Sequence, residues 1–387
     1  MQRLMCAIAI AVWLASSAGA QERLDDLLEP IRVKQQLPAL AAAVSKEGRI
    51  VAAGAVGTRV QGKEIPVTVD DRFHIGSDTK AMTATLAGIL IDKGQLSWTT
   101  TIGDVLGPVI PGLKPKFAAI TLEQLLSHTS GLPTDNDEIA ALYYSSDAYE
   151  MTSTEYRRSM IATWGSKHEP GESGKFAYSN LGFITVGAMI EQITGKPWEN
   201  LIREEIFEPL GLKTAGLGPQ ATMGLYDAPV GHFVDDDGKV TPHPWGPSAD
   251  GPVVVGPAGI AHMSVLDFAT WAGWNAGEGK RGPAIVKPET LKRLHTSHIT
   301  MDIPNPKPGT PKSGAYAFAW GLIKFDWSAK PLLTHNGSNS MNLATILVDP
   351  DNDIGIVVTT NFPGDKADAA LQEVARLLYE KFGPAGP

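Results

Sequence analysis

The chain has 387 residues, 43% of them hydrophobic and 19% charged, with a formal net charge of −9. This is ordinary globular composition, long enough for one large domain or two smaller ones, and it excludes a disordered chain. The acid excess, with no basic run longer than two residues, excludes nucleic acid as the main partner, because polyanion binding needs a basic face.

The first 20 residues read as a signal peptide. Arg3 supplies the positive end, Leu4 to Ala15 the apolar stretch, and Ala18-Gly19-Ala20 a small-x-small cleavage site that would leave Gln21 as the new terminus. The alternative is an uncleaved anchor, and the cleavage site argues against it. The expectation is a secreted or periplasmic protein with no membrane anchor after cleavage. The only cysteine, Cys6, lies in this segment, so residues 21–387 can form neither disulfides nor a thiolate metal site.

Glu22 to Gln36 has helical apolar spacing, with Pro30 as a candidate kink. Strand-like runs follow at Ala39 to Ser45 and Ile50 to Thr58, with a hairpin turn over Lys46 to Arg49. Ser77-Asp78-Thr79-Lys80 comes next, after the strand-like Phe73 to Gly76 and at the start of a helix whose stripe is Met82, Leu86, Ile89 and Leu90. Three residues is just under one helical turn, so Ser77 and Lys80 share a face. A serine hydroxyl needs a nearby base to become a nucleophile, and a lysine whose pKa is lowered can serve. The helix start adds backbone N–H groups where an oxyanion forms. The competing reading makes Ser77 a helix cap and Lys80 a solvated lysine.

Further helices are expected at Leu122 to Leu126, Leu181 to Ile193 and Trp198 to Phe207, separated by long Pro/Gly-rich loops at Thr241 to Gly259 and Pro304 to Gly314. Tyr178-Ser179-Asn180 precedes the second of these. A tyrosine near cations can act as a base, and an asparagine carboxamide can both donate and accept. Strands are expected at Leu332 to His335, Leu343 to Val348 and Ile354 to Thr360, and a closing helix at Lys366 to Phe382. His335-Asn336-Gly337-Ser338 ends the first of them. There Gly337 admits close backbone approach and the Ser338 N–H is a second oxyanion donor. Both ends of the chain thus supply strands to what can be one antiparallel sheet.

No H-E-x-x-H, G-x-G-x-x-G or G-x-S-x-G occurs, and the nine histidines are scattered, so neither a metal nor a cofactor is expected. Trp271 and Trp274 read as core, and Trp245 as a pocket-lining candidate.

S-x-x-K, Y-x-N and a basic-x-Gly on a late strand, in this order, resemble the serine β-lactamase and D-alanyl-D-alanine peptidase superfamily. The likeness is to its class C-like branch of β-lactamases, DD-carboxypeptidases, D-amino-acid amidases and β-lactamase-like esterases. Leu125 to Pro133, Glu169-Pro170-Gly171 and Phe207 to Leu212 are similar to its signatures. The resemblance implies an α+β fold: an antiparallel sheet flanked by terminal helices (about 21–75 and 315–387), with a mostly helical region (about 76–314) inserted. It makes Ser77 the acylated serine, with Lys80 and Tyr178 as proton partners; which takes the first proton stays open. Asn180 resembles the substrate-amide contact, and His335, Gly337 and Ser338 the other substrate-binding residues. His128, in a family signature, reads as structural.

Two departures bear on the substrate. Histidine stands at 335, where class C β-lactamases usually have lysine, and no Lys or Arg occurs between His335 and Lys366. A substrate carboxylate would fall to His335, Ser338, Asn339, Ser340 or Asn342, or to a basic group elsewhere. Esters, D-amino-acid peptides and β-lactams all remain open as small-molecule or peptide substrates. A non-catalytic binding or sensor protein is the alternative of another class.

Overall fold

The computed structural model describes residues 21–145 and 150–384; the expected signal segment, residues 1–20, lies outside them. Nine strands form the main sheet, in the order Glu22–Arg23, Arg49–Gly57, Ala39–Lys46, Ile354–Thr360, Leu343–Asp349, Leu332–Ser338, Gly321–Ile323, Ser313–Tyr316 and Ile299–Asp302. Only the first pair is parallel. The hairpin forms where expected, with Glu47 and Gly48 at φ 51° and 71°, the backbone that a two-residue turn between twisted strands favours.

Both faces of this sheet are covered. Ala39, Ala41 and Ala43 enter one core, while Leu40, Ala42 and Val44 enter the other, as the two-residue period of a strand dictates. Helices Asp25–Gln35 and Gly364–Phe382 pack on the second face through Leu28, Ile31, Leu371, Val374 and Leu378. Helix Val265–Ala276 packs on the first through Val265, Phe268 and Trp271, and each such fully buried side chain contributes roughly 1.5–3 kcal/mol. The run of alanines on that face lets the helix lie close. Pro30 sits inside an unbroken helix.

The α+β expectation holds, with two corrections of extent. Glu22–Arg23 is an edge strand rather than the start of a helix. Ile299–Asp302 and Ser313–Tyr316 belong to the main sheet, although they fall at the end of the stretch expected as helical. They are four residues each and weakly buried, so their apolar pattern is faint. The inserted region carries helices Thr79–Asp92, Ser153–Lys167 and Asn180–Thr194, and also a three-stranded sheet of Phe73–His74, Ala261–Met263 and Gly216–Leu217. Among the described residues no helix is long and apolar enough to cross a membrane.

Candidate active site

Ser77 stands in a single 3-10 turn, Gly76–Asp78, that feeds helix Thr79–Asp92. The turn is built by Thr79, whose hydroxyl donates to Gly76 O at 2.7 Å and accepts from Ala261 N at 3.1 Å. No side chain caps either helix there, so the Ser77 hydroxyl is not spent on capping. Ser77 is half-buried, whereas Asp78, Thr79 and Lys80 around it are buried.

Lys80 Nζ has three partners: Ser77 Oγ at 3.0 Å, Asn180 Oδ1 at 2.7 Å and Ala258 O at 2.6 Å. The last two only accept. A neutral amine has two N–H bonds and one lone pair, so if both protons go to these oxygens the lone pair is left facing the serine hydroxyl. Burial pushes the Lys80 ammonium down from 10.5 to about 7, against the opposing pull of Asp135 and Asp78. The neutral base is therefore well populated at physiological pH. The short helix Gly256–Gly259 that supplies Ala258 O is anchored through the preceding turn by buried Arg157, which donates to Val254 O at 3.2 Å and pairs with Glu191 and Glu199.

The Tyr178 ring lies 4.8 Å from Lys80 Nζ. Burial raises its phenol above the ordinary value, with the nearness of Ser77 offsetting only part of this. Tyr178 thus rests as a phenol. The turn that presents Tyr178 is pinned by His128. Ser179 N donates to His128 Nδ1 at 3.1 Å, Ala177 N donates to His128 O at 2.8 Å, and the two rings lie 4.3 Å apart. The nearby signature segments dock on each other: Gly171 N donates to Gly131 O and Gly174 N to Thr129 O, both at 2.8 Å. Asn180 opens the next helix. Its Oδ1 accepts from Lys80, and its Nδ2 donates to Asp135 Oδ2 at 2.7 Å.

The far wall is strand Leu332–Ser338. A Cβ on Gly337 would stand 1.8 Å from Ile75 O and 2.9 Å from Ser77 N, and one on Gly76 would stand 2.2 Å from Ser338 N. The backbones of 75–77 and 337–338 are therefore in direct contact, which brings the Ser77 and Ser338 amides together beside the nucleophile. Gly76 also takes φ 50°, a conformation that side chains resist.

His335 departs from the expected substrate contact. It is buried, with Nδ1 3.2 Å from Asp78 Oδ1 and Nε2 3.2 Å from the Tyr316 hydroxyl. Burial, then the charge of Lys80, lower its pKa to about 3, so it is neutral near pH 7. Burial holds the Asp78 carboxyl well above its usual range, and among the described residues Asp78 Oδ2 has no hydrogen-bond partner. A protonated Asp78 donates to Nδ1, which leaves the ring proton on Nε2 to donate to Tyr316. Both ring nitrogens are then occupied by protein groups, so His335 is not a cationic clamp. Asn339 and Asn342 are likewise engaged, with each other and with Asp250 and Gln220.

Four contributors were not singled out from the sequence: Asp78, Asp135, Ala258 and Tyr316. Asp78 sits inside the S-x-x-K motif, but the other three come from segments without a motif. Trp245 packs on Tyr226 at 5.3 Å, while Trp271 and Trp274 are stacked core residues, as read. Among the described residues, no three His, Cys, Asp or Glu side chains are grouped to hold a metal ion.

The profile of the Beta-lactamase family matches residues 24–381. Penicillin-binding protein 4 of Amycolatopsis lactamdurans is 25% identical over 378 residues, spanning 95% of this chain and 91% of its own length. Among solved structures, D-amino acid amidase from Ochrobactrum anthropi SV3, complexed with L-phenylalanine amide, superposes with a TM-score of 0.71 at 22% identity, covering 92% of this chain and 96% of that one. A class C beta lactamase from Rhodobacter sphaeroides does so with a TM-score of 0.69 at 20% identity, covering 91% and 98%. These two likenesses show the shared fold.

Proposed function

Because the chain belongs to the Beta-lactamase family, we propose that it is a serine acyl-hydrolase working through a covalent acyl-enzyme on Ser77. The observation that carries this reading is the Lys80 amine, whose two other partners are pure acceptors and whose lone pair is left for the serine. Ser77 Oγ attacks the substrate carbonyl while its proton passes to Lys80 Nζ. The Ser77 and Ser338 amides hold the oxyanion, an arrangement of the kind that supplies the largest single share of many rate enhancements. The intermediate collapses by breaking the bond to the leaving group, which takes up the proton through Tyr178. Water then attacks the acyl-enzyme by the same path in reverse, releasing the acid and restoring Ser77.

Esters and amides that need no carboxylate clamp suit the site best, since His335 is neutral and no Lys or Arg lies between it and Lys366. A short-chain p-nitrophenyl ester is the expected substrate, ahead of a chromogenic cephalosporin. An activated fluorophosphonate should label the purified protein, and Ser77→Ala should abolish both labelling and ester hydrolysis. Labelling that survives the substitution would remove the assignment. Cephalosporin turnover exceeding ester turnover in kcat/KM would reverse the substrate ranking.

A further inference from the structure

The residue before the nucleophile is held by an imidazole. Gly76 N donates to His74 Nδ1 at 3.0 Å, and both residues are buried. The peptide that carries the Ser77 N–H follows directly from Gly76, at φ 50°. Because Nδ1 accepts, the neutral ring carries its proton on Nε2, which stands 2.9 Å from Asp250 Oδ1. The alignment there is not that of a straight hydrogen bond, so the pairing is one of charge and dipole at close range.

Asp250 Oδ1 also accepts from Gly251 N at 2.7 Å and from Asn339 Nδ2 at 2.9 Å. Asn339 Oδ1 in turn accepts from Asn342 N at 3.1 Å and Asn342 Nδ2 at 3.0 Å, which closes the turn after Ser338. The path thus runs from the residue before Ser77 to the residue after Ser338. Asp78 and His335 make a separate crossing, from the residue after Ser77 to the strand that leads into Ser338. The Ser77 and Ser338 amides lie between the two crossings.

The side chains of His74 and Asp250 are 0% and 3% exposed, so neither can meet a substrate. Asp250 Oδ2 has no hydrogen-bond partner among the described residues. A buried carboxylate with one oxygen unpaired costs stability that an apolar residue would not. What it provides is a single acceptor shared by His74 and Asn339, one on each side of the gap.

We propose that His74 and Asp250 are positioning residues for acyl transfer, a buried brace that acts through Gly76 and Asn339 to set the spacing of the Ser77 and Ser338 amides. This rests on the acyl-hydrolase reading of Ser77 and deepens it.

The test uses the full chain and p-nitrophenyl acetate, in His74→Phe, Asp250→Ala, Asp250→Asn and Asn339→Ala. In His74→Phe and Asp250→Ala, kcat and kcat/KM should fall together by about tenfold or more, as when donation to the oxyanion is weakened in the transition state. The isotope-edited infrared band of the acyl carbonyl on Ser77 should move to higher frequency, since weaker donation leaves that bond stiffer. Asp250→Asn, whose carboxamide oxygen can still accept from both sides, should recover most of the rate and the wild-type band. Thermal melts identify the folded variants; if His74→Phe and Asp250→Ala do not fold, Asn339→Ala, on its half-buried turn, carries the same expectation. A role confined to packing would lower the melting temperature and leave kcat and the carbonyl band of folded variants unchanged, and that result overturns the proposal. So does an Asp250→Asn variant no better than Asp250→Ala. In either case wild-type labelling by fluorophosphonate and ester hydrolysis keep the broader reading, whereas a wild type that is neither labelled nor acylated overturns both.

Discussion

Asp78 Oδ1 lies 3.2 Å from His335 Nδ1, joining the residue that follows Ser77 to the strand that carries Ser338. The bond crosses the contact between residues 75–77 and 337–338, where no side chain fits. It fixes the spacing of the Ser77 and Ser338 amides; burial holds the Asp78 carboxyl well above its usual range and keeps the His335 ring neutral near pH 7.

Asp78→Asn should therefore retain most activity, because a carboxamide N–H can still donate to His335 Nδ1. A group whose folded pKa is raised loses stability as pH climbs from its unfolded value of 3.8 toward the folded one, since the folded state then holds the extra proton. The asparagine variant escapes that loss, so its melting temperature at pH 7 should exceed the wild type's, with the gap closing near pH 4. Asp78→Ala should instead cost about 1–3 kcal/mol by leaving His335 unpaired. Thermal melts across pH 4 to 8 check both, and a less stable asparagine variant at pH 7 would show that Asp78 is ionised.

Lys80 sets the acidic limb of the rate profile. For the wild type, kcat/KM on a neutral ester should rise with pH through a midpoint near 7, where the Lys80 amine becomes neutral. Lys80→Arg, which cannot lose its proton, should fall on the order of a thousandfold or more. Stability follows the same group with the sign that applies to a depressed lysine. Between about 7 and the unfolded value, the unfolded chain binds the proton and the folded one does not, so stability rises with pH there. The difference between wild type and Lys80→Met should display that rise; a flat difference from pH 7 to 10 would contradict the lowered pKa.

Tyr178→Phe keeps the ring against Lys80 and His128 but removes the hydroxyl. The expected outcome is a drop in kcat of about a hundredfold or more, with KM changed far less. Steady-state kinetics with the best ester decide it, and near wild-type kcat would make the tyrosine structural.

Gly337→Ala places a methyl where Ile75 O already stands, 1.8 Å away. The two backbones must part, so acylation should slow by about 10²–10³, as when one oxyanion donor is lost. Burst kinetics with an activated ester, read beside a thermal melt, separate misplacement of the amides from unfolding. An unimpaired burst would mean that these amides do not form the oxyanion site.

Export is read only from residues 1–20. Intact-mass measurement on protein from the envelope fraction should give a species beginning at Gln21, and one that retains Met1 or Cys6 would contradict cleavage after Ala20.

The three motif residues that touch one another, Ser77, Lys80 and Tyr178, were legible because each sits at a helix start with a local signature. Asn180 was legible too, but its second partner was not. Asp135 reaches it from a loop 45 positions away, and loops carry no periodicity to read. His335 was found in the sequence, and its role was misjudged for want of its surroundings. A histidine's charge follows from burial and from both ring partners, and Tyr316 comes from a sheet strand while Asp78 comes from the turn before a helix. The long central strands announced themselves by alternation, while the four-residue strands at 299–302 and 313–316 did not.

The Thr360 hydroxyl donates to Ala39 O, 321 positions away, at the seam where the N-terminal hairpin meets the last strand of the sheet. During synthesis strand Ala39–Lys46 has its hairpin partner Arg49–Gly57 at once, but its other partner, Ile354–Thr360, does not exist until nearly the whole polypeptide has emerged. The helical region can condense early on local contacts, but closing so long a loop is a late event. The Ser338 amide arrives with that same late segment. A nascent or C-terminally truncated chain thus carries Ser77 without the Ser338 amide. The Ser77 and Ser338 amides come side by side only once the two ends of the polypeptide have met.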